Sequence, residues 1–522
     1  MSRVKHSIKN AKVSLVFYVL LLVLNFFSRR VFIDVLGNEL VGLSSTVISY
    51  IGFLNLAELG IAVAIINALY LPIFNKNKEE ISDLISLFGY LFRWIGVVIG
   101  AAGIIFSLFI PLIFRTDGIS MPVIYAAFYT FLTLTLLSYL VNYKQNLLIA
   151  SQKNYVVTKV MNISLMAKIL LQMALLKWFD AGYVTWLALE LVFGVVFSIW
   201  LEMEIRREYP WLETSVRRGR EIRRKRPAIF KNVKRVFSHK LASFVLIQSD
   251  PIIISQLASL TMVTYYTNYA MIMQRIVQVI SGSLTSNYAG VGNLIAENNK
   301  PKIKLVFWQF NAMYFWIAGI SCFAFYHLIT PFIPIWLGDM GHILPEPVLV
   351  AMVVTLFFSI IRQTGQYFVN GYGLFGDMWA SWTEAGLNLA ISITAGIYYG
   401  IFGIVLGTAI STGLMVLFWR PYYLYTRGFG ESWIEYLATL AKFLIMLAVS
   451  WVLVSLAVSP GWLPDSGNFV GWLINAVVIT ILFAVVSGIL LYLTSQGMKD
   501  FVRLWRDIFR KRFGRNKGGG DS

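Results

Sequence analysis

The stretch FVGWLINAVVITILFAVVSGILLYL, Phe469 to Leu493, runs without one charged side chain. A bilayer core about 30 Å thick needs roughly 20 mainly apolar residues in a helix that rises about 1.5 Å per residue, and this run is long enough. Similar runs recur back along the chain as far as Val13, and of its 522 residues 58% are hydrophobic and only 13% charged. Soluble domains carry about a quarter charged residues. The sequence therefore reads as an all-α integral membrane protein of about fourteen transmembrane helices.

Working outward from that run, hydropathy marks spans at 13 to 35, 42 to 72, 83 to 113, 120 to 149, 155 to 176 and 182 to 204. A second group follows at 240 to 260, 264 to 292, 304 to 328, 347 to 371, 378 to 399 and 402 to 425, then a pair at 432 to 457 and 469 to 493. The chain so divides into helices 1–6 at 1–205, a basic linker at 206–239, helices 7–12 at 240–430, helices 13 and 14 at 431–494, and a basic tail at 495–522. Arg206 to Lys240 hold thirteen Lys or Arg against three Glu. The first run follows Arg3, Lys5, Lys9 and Lys12, ends in Arg29-Arg30 and lacks a small-residue cleavage site, so it reads as a retained helix. The two groups of six echo each other: Lys9-Asn10-Ala11-Lys12 returns as Lys231-Asn232-Val233-Lys234, and Asn75-Lys76-Asn77-Lys78 returns loosely at Asn298-Asn299-Lys300-Pro301-Lys302. Two repeated lobes fit a transporter that rocks.

A net charge of +18 would point to nucleic acid in a soluble protein. Here it sorts by side of the membrane. With the N-terminus inside, most of the 44 Lys and Arg fall on inner segments, and outer ones keep only Arg115 and Lys177, with Arg29 and Arg30 near the outer end of helix 1. The positive-inside rule then places both termini in the cytoplasm. No nucleic-acid partner is expected. Trp211, Trp336, Trp419 and Trp505 near helix ends read as interfacial anchors, and the basic linker and tail as topology determinants that attract anionic membrane lipids.

Ionisable groups at membrane depth cost about 2.5–3.5 kcal/mol each on insertion scales, so they face a cavity or a partner. The cations are Arg29, Arg30, Arg93, Lys168, Arg275 and Arg362; the acids are Glu58, Glu190, Asp250 and Glu384. The excess of cations predicts a hydrated cavity suited to anions, with arginine's planar fork matched to phosphate. Arg362, Gln366 and Asn370 form a polar stripe on one helix, Glu384, Asn388 and Ser392 another, and Asn25 with Arg29 and Asn55 with Glu58 continue the pattern on helices 1 and 2. For the neutral members, interhelical hydrogen bonding is an equal reading, and Lys168 with Glu190 reads also as a pair within the first lobe. Asp250, followed by Pro251, can take up a proton or Na⁺ or pair with an arginine; Glu58 and Glu384 are the other candidates for coupling or gating.

Several chemistries are set aside. No Gly-x-x-x-x-Gly-Lys-Ser/Thr loop occurs, His6, His239, His327 and His342 are scattered, and the single Cys322 permits no intrachain disulfide. No cofactor is called for, and short outer loops disfavour an enzyme.

The run Arg30-Val-Phe-Ile-Asp-Val-Leu-Gly37, Leu56-Ala-Glu-Leu-Gly60, Ala64-Ile-Ile and Tyr70-Leu-Pro72 carry a resemblance, as do Ser249-Asp250-Pro251-Ile-Ile-Ile-Ser255, Asn388-Leu389, Gly403-Ile-Val-Leu-Gly-Thr408 and Trp419-Arg420-Pro421. In these the chain resembles the Wzx-type polysaccharide flippases of the multidrug/oligosaccharidyl-lipid/polysaccharide (MOP) exporter superfamily. The resemblance implies two six-helix lobes around a central cavity, helices 13 and 14 beside it, and alternating access in a bacterial plasma membrane. It implies as substrate an oligosaccharide repeat unit on undecaprenyl diphosphate, carried to the outer leaflet for O-antigen or exopolysaccharide, with a polysaccharide polymerase and glycosyltransferases as possible partners. The related lipid II flippases use cavity arginines on helices 1 and 8, where Arg29 or Arg30 and Arg275 fall here; their helix-2 arginine has no counterpart, since Glu58 occupies mid-helix. Other readings are an ion-coupled exporter of small molecules, a glycan polymerase or ligase, and a scaffold for glycosyltransferases. The major facilitator Gly-x-x-x-Asp-Arg loop is replaced by Asn75-Lys76-Asn77-Lys78.

Overall fold

The computed structural model describes residues 3–55, 61–114, 118–179, 181–225, 248–284, 286–338, 342–374, 376–459, 463–464 and 466–514. Its chain forms two compact units, 1–264 and 265–522. Among the described residues the regular elements are all helices.

The first unit opens with α1 (Arg3–Leu54), which breaks at Gly37, where φ is 83° and ψ 164°. Only glycine takes up that backbone without a Cβ penalty. The break is held from outside α1, since the Thr264 hydroxyl donates to the Asn38 carbonyl at 2.6 Å. Beyond it, a Cβ at Gly42 would overlap the Leu260 carbonyl, so the second arm lies tight against that segment. Then come α2 (Ile61–Phe74), α3 (Lys78–Ser107), α4 (Met121–Leu140), α5 (Asn154–Trp178), α6 (Tyr183–Glu208), the short basic α7 (Val216–Lys225) and α8 (248–257). Leu43, Phe88, Phe128 and Leu147 lie at the centre of its core. The chain leaves α6 through a tether: Lys153 pairs with Glu208 at 2.5 Å and sits over the Tyr209 ring. Burial opposes the Lys153 charge, but the Glu208 carboxylate outweighs it and holds the ammonium above its ordinary pKa.

Spanning the boundary, α9 (Leu260–Leu284) leads into α10 (Ser286–Ala296), α11 (Lys300–Leu337), α12 (Glu346–Gly371), α13 (Met378–Tyr399), α14 (Ile401–Phe429), α15 (Ile434–Val458), α16 (Phe469–Thr494) and α17 (Gln496–Gly514). The long α11 is the hub of the second unit. Its Trp316 and Trp472 of α16 exchange indole hydrogen bonds with the Ala484 and Leu328 carbonyls, both at 3.0 Å, and Phe323 stacks on Phe483. Trp336, expected at an interface, is 4% exposed and stacks on Phe332. The cause is length: α11 runs on past the expected end at 328, which draws Trp336 into the core.

The echoed loops share one geometry. Lys76 and Asn298 both adopt positive φ, at 55° and 54°. The next residue, Asn77 or Asn299, then caps α3 or α11 by accepting from the backbone N–H of Glu80 or Lys302, each at 3.1 Å.

Among the described residues ten helices are long and apolar enough to cross a bilayer, and their outward faces are lined by large exposed side chains such as Val97, Ile199, Val452 and Ile481. Water would penalise such surfaces; lipid does not. The chain is a multi-pass membrane protein. Of the expected spans, 42 to 72 passes through 56–60 and 240 to 260 begins within 226–247, both outside the described residues. The helices α9 and α13 have the length but are too polar to count, because they carry Asn268, Arg275 and Gln278, and Glu384, Asn388 and Ser392.

Between α13 and α14 the backbones meet through glycine. A Cβ at Gly403 would overlap the Ala395 carbonyl, and one at Gly407 the Ser392 backbone. Gly407→Val is therefore expected to destabilise the protein by about 2–3 kcal/mol, read as a lower Tm in detergent. Gly386→Ala, in the partner helix α13 with nothing within 4 Å of its Cβ, should leave the Tm level or raise it.

Candidate functional site

The second unit concentrates charge where α12, α13 and α14 meet. Arg362 of α12 forms a two-pronged pair with Glu384 of α13, Nη1 to Oε1 at 2.9 Å and Nη2 to Oε2 at 2.6 Å. Glu384 is 1% exposed and the Arg362 side chain 29%. The pair is thus lopsided, with the carboxylate sealed in and part of the guanidinium open. A second pair stands nearby, Arg420 Nη1 of α14 to Asp377 Oδ2 at 3.0 Å, both side chains under 9% exposed. Both arginines border one small cavity of about 20 Å³, room for about one water, with Asn311 and Tyr436. Neither carboxylate borders it. Its charged lining is cationic.

Local chemistry places Arg420. Two single-turn π segments, Met415–Trp419 and Tyr425–Phe429, flank Arg420-Pro421 in α14. Pro421 has no N–H to donate, and a π turn absorbs the missing bond by adding a residue. The turn presents Arg420 to Asp377, beside Trp419, whose indole N–H reaches the same Oδ2 at 3.4 Å and whose ring packs on Trp379 and Tyr423. Trp419, read from sequence as an anchor, is here part of the Asp377 surroundings.

The polar stripes continue from this centre. Gln366 donates to Asn370 at 2.8 Å along α12. Asn388 donates to Thr408 at 2.8 Å and Ser392 to the Ile404 carbonyl at 2.8 Å, both tying α13 to α14. Arg275 donates to Gln278 one turn on in α9 at 2.9 Å.

In the first unit the charges are spread. Lys168 pairs with Glu190 at 2.7 Å, and Gln172 completes that carboxylate at 3.0 Å. Asn25 bonds back to the Leu21 carbonyl, and half-exposed Arg30 pairs with Asp34 at 3.6 Å. Arg29 is half-buried on the same helix. Arg93 is exposed on α3 and borders a separate cleft. Asp250 is 3% exposed in α8, and the Asn55 Oδ1 is buried without a hydrogen bond among the described residues. Glu58 lies outside the described residues.

Of the residues singled out from sequence, the structure thus gathers Arg362, Glu384, Gln366, Asn370 and Asn388 in one region. Lys168, Arg29, Arg30, Arg93, Asn25, Asn55 and Asp250 belong to the other unit. Asp377 and Arg420 were missed as a site, because each falls near the end of an expected span, where a charge is unremarkable. The signal available was Pro421 within an apolar helix, directly after an arginine.

The fold is similar to that of solved MOP superfamily transporters. The solved structures similar to this chain include "Lipid II flippase MurJ, inward closed conformation", at 15% identity and TM-score 0.58, covering 91% of this chain and 99% of that one. A multidrug resistance MATE family transporter of the MOP superfamily, inward-facing, matches at 15% identity and TM-score 0.57 over 74% and 90% of the two chains. A MOP superfamily transporter from Pyrococcus furiosus, whose binding pocket is described as reversed in polarity, matches at 16% and 0.52 over 83% and 98%. No family model and no curated protein sequence matches.

Removing one member of a buried pair strands the other, at about 3–5 kcal/mol, whereas removing both costs far less. Glu384→Ala is expected to lower the Tm strongly, and Arg362→Met combined with Glu384→Met to recover more than half of that loss. Thermal unfolding of both variants beside wild type in detergent checks this.

Proposed function

We propose that the chain is a flippase that carries a lipid-linked oligosaccharide, bearing its sugars on an undecaprenyl diphosphate, from the inner to the outer leaflet by alternating access through about fourteen spans. The observation that carries the reading is the lopsided Arg362–Glu384 pair of the second unit. Arg362 and Arg420 border a cavity from which their carboxylates are excluded, so an anion that widens this one-water space meets guanidinium edges first. Diphosphate is the anion whose geometry suits paired arginine forks. Gln366, Asn370 and Asn311 supply neutral hydrogen bonds of the kind sugars need. The lipid tail can remain in the bilayer. A similar fold in a structure named as a lipid II flippase supports a lipid-linked cargo. In this reading the protein sits in a bacterial plasma membrane with both termini cytoplasmic and passes repeat units to a polymerase.

A second reading is an ion-coupled exporter of small molecules. It is favoured by the buried carboxylates Glu384, Asp377 and Asp250, which suit H⁺ or Na⁺, and by the similarity to a MATE transporter. The cationic lining of the cavity weighs against organic cations as cargo.

The two separate in vesicles. Purified protein is reconstituted with a labelled undecaprenyl-diphosphate oligosaccharide, and a membrane-impermeant glycosidase reads its exposure. Wild type should expose lipid initially protected inside, and Arg362→Lys, which keeps the charge but loses the fork, should slow exposure about tenfold, the worth of about 1.4 kcal/mol. No acceleration over protein-free vesicles, with gradient-driven movement of a small organic ion instead, would establish the exporter.

A further inference from the structure

A second cleft lies wholly in the first unit, away from the cluster just described. It encloses about 360 Å³ where the end of α4, the turn after it, the end of α6 and the start of α7 meet α3. Three cations border it, Arg93, Lys144 and Arg206, against one acid, Glu202. That carboxylate is shared by Lys144 at 2.7 Å and Arg206 at 3.0 Å. Arg93 has no ionic or hydrogen-bonding partner among the described residues. Hydroxyls of Tyr143 and Thr214, 3.5 Å apart, line the same cleft.

The surroundings of Arg93 specify what its partner must be. Basic α7 lies across the first turns of α3: Gly219 packs on the Ser86 carbonyl so closely that no Cβ fits, and Arg223 reaches the Tyr90 hydroxyl at 3.4 Å. Arg93 follows less than one turn beyond, where α3 emerges from under that cover. From there the exposed face turns apolar, with Trp94, Val97 and Val98 of α3 each more than half exposed, and Leu140 of α4 42% exposed. An unpaired guanidinium on the border between a polar cleft and a lipid-facing wall is costly, unless the lipid brings the counter-charge.

We infer that this cleft binds an anionic glycerophospholipid of the leaflet beside the basic linker, its phosphodiester on Arg93 and Arg206 and its acyl chains along Trp94, Val97 and Leu140. The cleft supplies cations and hydroxyls for a phosphate, and the wall supplies an apolar track that a free phosphate ester does not need. Lys144 stays with Glu202 and lends its charge at a distance. Nothing in this assignment depends on the cargo.

The test is native mass spectrometry of the full chain, released from detergent holding equal phosphatidylglycerol and phosphatidylcholine. Wild type should retain phosphatidylglycerol preferentially. Arg93→Gln with Arg206→Gln should cut that preference about fivefold for each cation lost, the ~1 kcal/mol a basic side chain contributes beside an anionic leaflet. Thr214→Phe, which fills the cleft and keeps its charges, should cut it as well, and so covers the case in which the double variant does not fold. Arg503→Gln with Arg506→Gln, in the basic tail, which attracts anionic lipid only diffusely, should cut it by less than either cleft variant. Wild-type preference in both cleft variants, or an equal loss in the tail variant, would overturn the inference. So would glycerol 3-phosphate binding as tightly as phosphatidylglycerol, since the cleft would then take free phosphate esters.

Discussion

A guanidinium inside an apolar bundle must have its charge met within reach of its own side chain, and the pair Arg362–Glu384 shows how much structure that requirement organises. The two parallel hydrogen bonds demand that α12 and α13 face each other in one register and at one rotation. Holding α13 there requires the close approach of α14 that Gly403 and Gly407 allow, and Asn388 and Ser392 bond across the same seam. The second pair, Arg420–Asp377, depends on that seam too, because the π turns of α14 bring Arg420 round to the residue just before α13. Both arginines border the cavity beside them, and neither carboxylate does.

The first unit meets the same constraint differently. Lys168, Glu190 and Gln172 form a closed set in which the carboxylate is satisfied from two sides. Such a set can hold α5 to α6 but offers little to a ligand. Arg93 is the opposite case, a cation with no ionic or hydrogen-bonding partner among the described residues. Charge at membrane depth is thus used in three ways here: sealed, half-open and open.

Similarity to solved transporters at 15% identity is understandable on these terms. What the fold requires of a lipid-facing position is only that it be apolar, and many residues qualify. The demanding positions are few, among them the Gly37 break, the matched Asn77 and Asn299 caps, and the glycine seams.

Much was legible from residue order alone. Hydropathy and helix length identify the membrane class and most of the spans, because a bilayer imposes one thickness on every crossing segment. Helical spacing put Arg362, Gln366 and Asn370 on one face, and Glu384, Asn388 and Ser392 on another, since the 3.6-residue period is local. Which face meets which is not local. That Arg362 finds Glu384, that Lys168 closes on Glu190 and Arg93 on none of the described residues, and that Arg420 belongs to Asp377 are decided by how helices far apart in the chain rotate and pack, and only the folded backbone sets those rotations.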